Sequence, residues 1–282
     1  MTEKIKILLT NDDGISSPGI KILETILLDI GYNNIFVVAP LRDQSGAGAS
    51  FSYTKPVAIE HLSKSTDTSQ SWSVDGTPVD CIKLALSVLF KNNLPDLVIS
   101  GINSGSNAGR NTMYSGTVNA ALEARMKGIP SISLSQISKI NYLNPKKVAK
   151  YLKILIEYIL KYSLPKDYIL NINLPQIDKN EEFSGIKFTE QGHEVIIEDP
   201  RCMGTIKNKN FYALGTLVGA FVYENLHIHS EEFQSLYEKY ITAAIISTFN
   251  TPLKNSKENI DLIKKQFNEF YSQHLETLVQ QN

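Results

Sequence analysis

Residues 5–31 read IKILLTNDDGISSPGIKILETILLDIG. The apolar run at 5–9 is broken by one lysine and closed by the polar turn at 10–14, which is the pattern of a buried strand. Ser17 and Pro18 follow, and these residue types favour the N-cap and the first position of a helix. Apolar residues at helical spacing continue to residue 30, and Gly31 ends the pattern. The stretch therefore predicts a strand followed by a helix.

The same alternation continues through the first two-thirds of the chain. Further strands are predicted at 35–38, 57–62, 72–74, 97–100, 131–134 and 168–173. Helices are predicted to start at Thr77-Pro78 and at Ser115-Gly116-Thr117, and another to run over 148–162. Strands that alternate with helices pair in parallel and carry helices on both faces. We therefore predict an α/β fold with a Rossmann-like, doubly wound, mostly parallel sheet.

The last hundred residues have a different pattern. Residues 181–224 are rich in β-forming residues and glycine, and 240–247 predicts a strand that returns to the main body. Residues 259–278 have apolar side chains at helical spacing. We predict a catalytic core over 1–180 and an extension over 181–282, in which a hairpin, the returning strand and a C-terminal helix serve oligomerisation.

The amino-acid composition argues against several kinds of binding partner and against a cysteine-based metal site. The 282 residues include 28 basic and 29 acidic side chains, so no overall field attracts a nucleic-acid polymer or an anionic membrane. Cys81 and Cys202 belong to no CxxC pair, which argues against a disulfide framework and a thiolate zinc site. The sequence has neither a signal-peptide pattern nor the roughly 20 apolar residues of a membrane span. We expect a cytoplasmic protein.

Polar side chains follow the predicted strands where those strands end. Asp12 and Asp13 follow the first strand, Ser45 follows the second, and Asn103 and Asn107 follow the strand at 97–100. In a doubly wound sheet these ends lie at one edge, where ligands bind. Adjacent carboxylates repel each other unless a cation neutralises them, and oxygen ligands suit Mg²⁺ or Mn²⁺. The absence of His and Cys from these loops argues against zinc.

Each of these segments alone also fits a purely structural interpretation. Asp-Asp-Gly is a common turn, Asn103 could be a left-handed turn residue, and Ser115-Gly116-Thr117 could be only a helix cap. Their coincidence at one sheet edge favours a site. Hydroxyl and N–H groups at a helix N-terminus bind anions, so a phosphate at Ser115 would lie near the predicted cation. That pairing is typical of phosphoryl transfer.

Five segments, in this order and spacing, resemble the SurE family of stationary-phase survival proteins, which act as 5′-nucleotidases. They are LLTNDDG at 8–14 with Pro18-Gly19, AP and QSG within 39–46, GTPVDC at 76–81, SGINSGSN at 100–107, and YSGTV at 114–118. Weaker similarity extends to 170–175 and 251–253. The sequence departs from the family at Ser230-Glu231-Glu232-Phe233, where members usually carry a Thr-Asp pair before the late strand.

The resemblance implies a Rossmann-like core, a β-hairpin and C-terminal helix exchanged between subunits, and a homodimer or homotetramer. It places one divalent cation per subunit, Mg²⁺ or Mn²⁺, on Asp12, Asp13, Ser45 and Asn103. It places phosphate contacts on Asn107, Ser115, Gly116 and Thr117, to which we add Asn11 from the first turn. The implied substrates are nucleoside 5′-monophosphates, often 3′-monophosphates, and for some members short polyphosphate.

The hypothesis for the reaction is in-line attack of a metal-activated water on the phosphate. Asp12 and Asp13 are the candidate catalytic residues, and Asp12 either orients or deprotonates the water or acts only as a ligand. One alternative is a phosphatase with an aspartyl-phosphate intermediate, but such enzymes use Asp-x-Asp after the first strand, and Gly14 and Ile15 break that pattern here. Another is a nucleotide-binding module without hydrolysis, although the first turn lacks Gly-x-Gly-x-x-Gly.

Overall fold

Strands and helices alternate along the chain in a computed structural model that describes residues 5–66, 69–162, 164–193, 200–214, 230–247 and 253–279. The strands are β1 (Lys6–Thr10), β2 (Asn34–Pro40), β3 (Ile59–Thr66), β4 (Ser69–Val74), β5 (Leu97–Ser104), β6 (Ser131–Gln136), β7 (Tyr168–Leu174), β8 (Gly185–Thr189), β9 (Arg201–Ile206), β10 (Lys209–Ala213) and β11 (Tyr240–Ser247). The helices are α1 (Pro18–Asp29), α2 (Pro78–Leu84), α3 (Gly116–Met126), α4 (Pro145–Tyr162), α5 (Glu231–Tyr237) and α6 (Leu253–Val279).

Within the described residues, the main sheet has nine strands in the order β3-β4-β2-β1-β5-β6-β7-β11-β8. The six strands from β4 to β7 are all parallel, whereas β3 runs antiparallel to β4 and β11 runs antiparallel to β7. The mostly parallel, Rossmann-like sheet is therefore confirmed. The strand order turns away from β1 on one side and from β5 on the other, and a ligand crevice forms at such a switch point.

Successive residues of β1 face opposite layers of helices. Leu9 packs in a core cluster with side chains from α1, α4 and α6. Leu8 packs in a second cluster with side chains from α2 and α3. A parallel strand covered on both faces has a continuous apolar sequence, which explains the run that precedes the polar turn. None of the helices in the described ranges is long and apolar enough to cross a bilayer.

The two predicted helix starts at prolines use different caps. Thr77 and Asp80 form the reciprocal capping box at α2, in which each side chain accepts the other residue's backbone N–H. Ser17 occupies the N-cap position of α1 but makes no capping hydrogen bond. Its hydroxyl instead accepts from Asn11 Nδ2 at 2.7 Å. The start of α1 is therefore tied to the loop after β1.

The C-terminal region contributes to the main sheet. Strands β11 and β8 extend it beyond β7, and the return of a strand at 240–247 is confirmed. A separate two-stranded hairpin is formed by β9 and β10. The rest of the predicted hairpin-rich stretch, 194–199 and 215–224, lies outside the described residues. The division of the chain at residue 180 stays a prediction.

Helix α6 packs on its own chain through an aromatic cluster. The Phe267 ring stacks on Phe188 of β8 at 4.0 Å between centroids and meets Tyr158 of α4 edge-on at 5.1 Å. Phe267 is fully buried, and Ile263 and Phe270 on the same face are nearly so. The predicted amphipathic helix is therefore present. Its exchange between subunits, and that of the hairpin, stays a prediction.

Candidate active site

The end of β1 is buried although it is polar. Asp12 is 3% exposed, and its carboxylate accepts two hydrogen bonds from Thr117 at the start of α3. Thr117 Oγ1 donates to Asp12 Oδ1 at 2.5 Å, and the Thr117 backbone N–H donates to Oδ2 at 3.1 Å. The Asp12 carbonyl also accepts the backbone N–H of Gln44, so the loop after β2 is fixed to the same residue. Asp12 therefore joins three loops at the sheet edge.

Gly116 permits this close approach of α3 to β1. A Cβ atom at residue 116 would lie 2.8 Å from Asp12 Cβ and 2.9 Å from Pro78 Cγ. Both neighbours are held by packing, so a larger residue would push the start of α3 away from Asp12. The glycine is thus required by the contact between the two loops.

Asp13 lies beside Asp12 and is partly buried. Its carboxylate accepts the backbone N–H of Ser104 at the end of β5, at 3.3 Å. Burial, and then the negative charge of Asp12, raise the pKa of Asp13 to about 7. Burial also raises the pKa of Asp12, although the hydrogen bonds from Thr117 act in the opposite direction. Two carboxylates held this close favour a bound cation, because ionising both without one is costly.

The other two predicted metal ligands are positioned by local hydrogen bonds. The backbone N–H and Oγ of Ser45 both donate to Asp43 Oδ1, at 2.7 and 2.6 Å. Asn103 Nδ2 donates to the Gly105 carbonyl at 2.9 Å. With that nitrogen engaged, the side-chain oxygen of Asn103 is the atom available as a ligand.

A polar cavity of about 240 Å³ opens between these loops. Five of the predicted site residues line it: Asp12, Ser45, Asn103, Asn107 and Ser115. Asp13 contacts Ser104, which also lines the cavity. The structure therefore brings together the carboxyl ends of β1, β2 and β5 with the start of α3, as the topology predicts.

Three predicted phosphate contacts lie behind the cavity wall. The Asn11 amide donates to the Gly14 carbonyl and to Ser17, so it braces the turn after β1. Thr117 is engaged with Asp12, and Gly116 packs against Asp12. Their roles as phosphate contacts stay predictions; in the contacts present here, Thr117 and Gly116 support Asp12, and Asn11 supports the turn that follows it.

Asn107 is fixed in the cavity wall by the neighbouring strands. Its backbone N–H donates to Asn173 Oδ1 at 3.0 Å, and its carbonyl accepts from Asn171 Nδ2 at 2.8 Å. Its side-chain nitrogen donates to Ser135 Oγ at 2.8 Å. A polar ladder on β6 and β7 thus orients the residue predicted to contact phosphate.

Four residues of the cavity lining were not among the predicted site residues: Gly46, Ser104, Asn111 and Tyr114. Asp43, which orients Ser45, was not among the predicted site residues either. Gly46, Ser104 and Tyr114 adjoin predicted residues in the chain, so their position was a usable signal. Asn111 lies in a 3₁₀ turn over Gly109–Met113, whose path depends on distant contacts.

The donor set fits a hard divalent cation better than zinc. Two carboxylates, one hydroxyl and one amide oxygen are the ligand types that Mg²⁺ and Mn²⁺ prefer. Across the residues that the structure describes, no group of three or more His, Cys, Asp and Glu side chains is placed to bind a metal. Because burial raises the pKa of Asp12 and of Asp13, a bound cation would favour the ionised form of both carboxylates.

Comparisons with known proteins agree with the fold and the resemblance. The sequence family described as "Survival protein SurE" matches residues 7–198. The "5′-nucleotidase SurE" of Chlamydia felis is 42% identical over 271 residues, which cover 96% of this chain and 97% of that protein. The "5′-nucleotidase SurE" of Chlamydia trachomatis serovar D is 38% identical over 94% of this chain and 93% of that protein. The crystal structure of the SurE protein from Aquifex aeolicus covers 90% of this chain and 97% of its own, with a TM-score of 0.70 and 33% identity.

Proposed function

This chain belongs to the SurE family, and we propose that it is a divalent-metal-dependent 5′-nucleotidase. The substrate class is nucleoside 5′-monophosphates, and the reaction is hydrolysis of the phosphomonoester. One observation carries the proposal: the carboxylate of Asp12 and the start of α3 at Ser115 line the same polar cavity. A cation site and an anion site in one cavity suit a metal-bound phosphate.

We assign the cation to Asp12, Asp13, Ser45 and Asn103. Mg²⁺ or Mn²⁺ bound there would neutralise the two carboxylates, polarise the phosphate and lower the pKa of a water molecule. Thr117 holds the Asp12 carboxylate in place through two hydrogen bonds. Asp43 does the same for Ser45. These supporting contacts fix the ligands before a substrate binds, which is the purpose of the outer contacts in metal sites.

The phosphate is assigned to the part of the cavity lining formed by Asn107 and Ser115. Ser115 caps α3 by accepting the Val118 N–H at 3.1 Å, and its own hydroxyl hydrogen remains to donate to an anion. The N-terminal end of α3 adds the favourable field of the helix dipole. Asn107 lies on the same cavity and is held by the β7 asparagines. These groups would stabilise charge on the phosphate oxygens during hydrolysis.

The attacking water requires a group that orients it or removes its proton. Asp12 and Asp13 are the candidates, and the cavity lining favours Asp12. Among the described histidines, His61 and His193 are exposed and His274 lies on α6, and none lines this cavity. We therefore assign no histidine a role as general acid.

We propose a homodimer or homotetramer as the working assembly. The support is the exposure of large apolar side chains on the β9–β10 hairpin, among them Ile206 and Phe211. Exposed apolar surface of this kind is typical of protein contacts, and a second copy is the occupant that the family resemblance implies. Hydrolysis of 3′-monophosphates and of short polyphosphate is proposed on the resemblance alone.

The test is phosphate release from nucleoside 5′- and 3′-monophosphates, p-nitrophenyl phosphate and short polyphosphate, each with Mg²⁺, Mn²⁺ or EDTA. We expect turnover of 5′-monophosphates that EDTA abolishes and Mg²⁺ or Mn²⁺ restores. Asp13→Asn should lose most of this turnover, whereas the exposed control Asp29→Asn should retain it.

Three outcomes would contradict the proposal. Full metal-dependent turnover by Asp13→Asn would show that the cation site is wrong. A trapped phosphoenzyme on Asp12 or Asp13 would indicate the aspartyl-phosphate mechanism. Tight nucleotide binding without phosphate release under any cation would indicate a binding module.

A further inference from the structure

Glu232 is a buried carboxylate outside the candidate active site. It lies in the first turn of α5, its side chain is fully buried, and neither the metal nor the phosphate assignment uses it. It belongs to the stretch Ser230-Glu231-Glu232-Phe233, where the sequence departs from the usual pattern of the family. A carboxylate is buried at a cost unless N–H groups or a cation compensate it, so its partners indicate what it holds.

Its partners connect α5 to the cavity wall. Glu232 Oε2 accepts the backbone N–H of Gly109 at 3.0 Å and the backbone N–H of Gly192 at 2.7 Å. Gly109 begins the 3₁₀ turn between Asn107 and Ser115. The apolar face of α5 supports this contact, because Phe233 and Leu236 pack on Ala108. A single oxygen atom of α5 therefore fixes the backbone two residues beyond Asn107.

Gln191 fixes the same turn from the other side. Its Nε2 donates to the Gly109 carbonyl and to Thr112 Oγ1, both at 2.8 Å. Gly109 is thus held at its N–H by Glu232 and at its carbonyl by Gln191. Beyond the turn, Asn119 Nδ2 donates to the carbonyls of Thr112 and Ser115 and so connects the turn to the start of α3.

We propose that Glu232 is a positioning residue that, with Gln191, sets the geometry of the 107–115 cavity wall for the substrate phosphate. This inference rests on the proposed function. The wall carries Asn107, Asn111, Tyr114 and Ser115, whereas three of the four assigned metal ligands, Asp12, Asp13 and Ser45, lie on other loops and Asn103 lies within β5, before the clamped turn. We call the hydrogen bonds from Glu232 and Gln191 to Gly109 the clamp. Loss of the clamp should therefore affect substrate binding more than metal binding.

The experiment compares Glu232→Leu, Glu232→Gln and Gln191→Leu with the wild-type protein. Glu232→Leu removes the acceptor at similar size, and we expect kcat/KM to fall about 10- to 100-fold, mainly through KM. The affinity for Mn²⁺ alone should change by less than about twofold. Glu232→Gln keeps an acceptor oxygen and should recover most of the activity. Glu231→Leu is the matched control, because the Glu231 side chain is exposed and pairs with Lys264 of α6 rather than with the turn, and this variant should resemble wild type in KM.

A double-variant cycle and amide hydrogen exchange separate positioning from general stability. Glu232→Leu and Gln191→Leu act on one glycine, so their effects on kcat/KM should not add. Exchange should accelerate in peptides covering 105–116 and remain unchanged in β1 and β5. If Glu232→Leu does not fold, Gln191→Leu alone should still raise KM and accelerate exchange at 105–116.

Unchanged KM in a folded Gln191→Leu or Glu232→Leu protein would overturn the inference while leaving the proposed function intact. Equal losses of Mn²⁺ affinity and substrate affinity would also overturn it. A wild-type protein that releases phosphate from no substrate would instead contradict the proposed function, and the exchange data would still report whether the clamp exists.

Discussion

Two regions differ in which side chains they bury: the loops at the ends of the parallel strands, and the β9–β10 hairpin. The loops bury polar groups, with Asp12 at 3% and Ser115 at 5% exposure, whereas the hairpin exposes Ile206 at 63% and Phe211 at 50%. Buried polar groups require partners, and the loops supply them within one chain. Exposed apolar side chains that lie close together are typical of a surface that contacts a second protein. The polar loops of the candidate site are therefore satisfied within one chain, and the surface of the hairpin fits the proposed assembly.

Asp12→Asn gives the largest expected effect in the polar loops. Removing the charge weakens the cation site, and we expect kcat/KM to fall about 1000-fold together with a loss of Mn²⁺ binding. Steady-state phosphate release and Mn²⁺ titration would measure both. Asp29→Asn, at the exposed end of α1, is the control and should behave as wild type. Wild-type activity in Asp12→Asn would contradict the assignment of the catalytic site to the polar loops.

One substitution made in both regions sharpens the contrast. Gly116→Ala places a methyl group 2.8 Å from Asp12 Cβ, so we expect kcat/KM to fall about 10- to 100-fold as α3 shifts. Gly204→Ala in the hairpin meets no atom within 4 Å, but its φ of +145° is unfavourable for alanine. It should lower stability by about 1 kcal/mol and leave kcat unchanged. Equal losses of activity would contradict the difference between the regions.

The metal-free protein should lose stability as the pH rises. The pKa of Asp13 is raised to about 7 in the folded state, whereas an unfolded aspartate titrates near about 3.9. Between these values the folded state keeps a proton that the unfolded state releases, so the contribution is full below about pH 4 and is lost by about pH 7. Asp12 shifts in the same direction.

Urea unfolding in EDTA at pH 5 and pH 8 would measure this effect. We expect Asp13→Asn to reduce the fall in stability by about 1–2 kcal/mol, a value discounted because Asp13 is partly exposed. Added Mg²⁺ should stabilise wild type most at pH 8. An identical pH dependence in wild type and Asp13→Asn would show that Asp13 ionises freely in the folded protein.

Changes in the hairpin should have the smallest effect on turnover. Ile206→Ser with Phe211→Ser removes exposed apolar surface, and we expect the proposed homo-oligomer to dissociate at least about tenfold more readily. The value of kcat/KM should change by less than about twofold per chain. Sedimentation velocity and phosphate release on the same sample would check both. A large loss of activity in the dissociated protein would show that the site depends on the partner copy.

Most of the fold could be predicted because local patterns carry it. The strand and helix at 5–31, the helix start at Thr77-Pro78 and the strand at 240–247 depend on neighbours in the chain, and all are present. Helix α5 was not predicted, although Ser230 followed by two acidic residues is a readable helix start. The place of β8 beyond β11 was not predicted either, since alternation of residue types does not specify a strand's neighbour.

The site could be predicted at the level of loops and not of atoms. The topology indicates which strand ends meet, and the cavity joins them as expected. The pairing of Thr117 with Asp12 spans 105 positions, and that of Glu232 with Gly109 spans 123. Such contacts depend on the packed positions of whole helices. The family resemblance therefore predicted Thr117 as a phosphate contact, but the sequence could not specify that Thr117 contacts Asp12.

The aromatic contact between Tyr158 and Phe267 has a consequence for how the chain folds while it is being synthesised. The two residues are 109 positions apart, and Phe267 and Phe270 of α6 form part of the cover over the buried ring of Tyr158. At translation rates of roughly 5–20 residues per second, Tyr158 leaves the ribosome about 5–20 seconds before Phe267 of α6, which packs on it. The parallel strands can pair during that interval, while one aromatic face of the nascent protein stays open to chaperones.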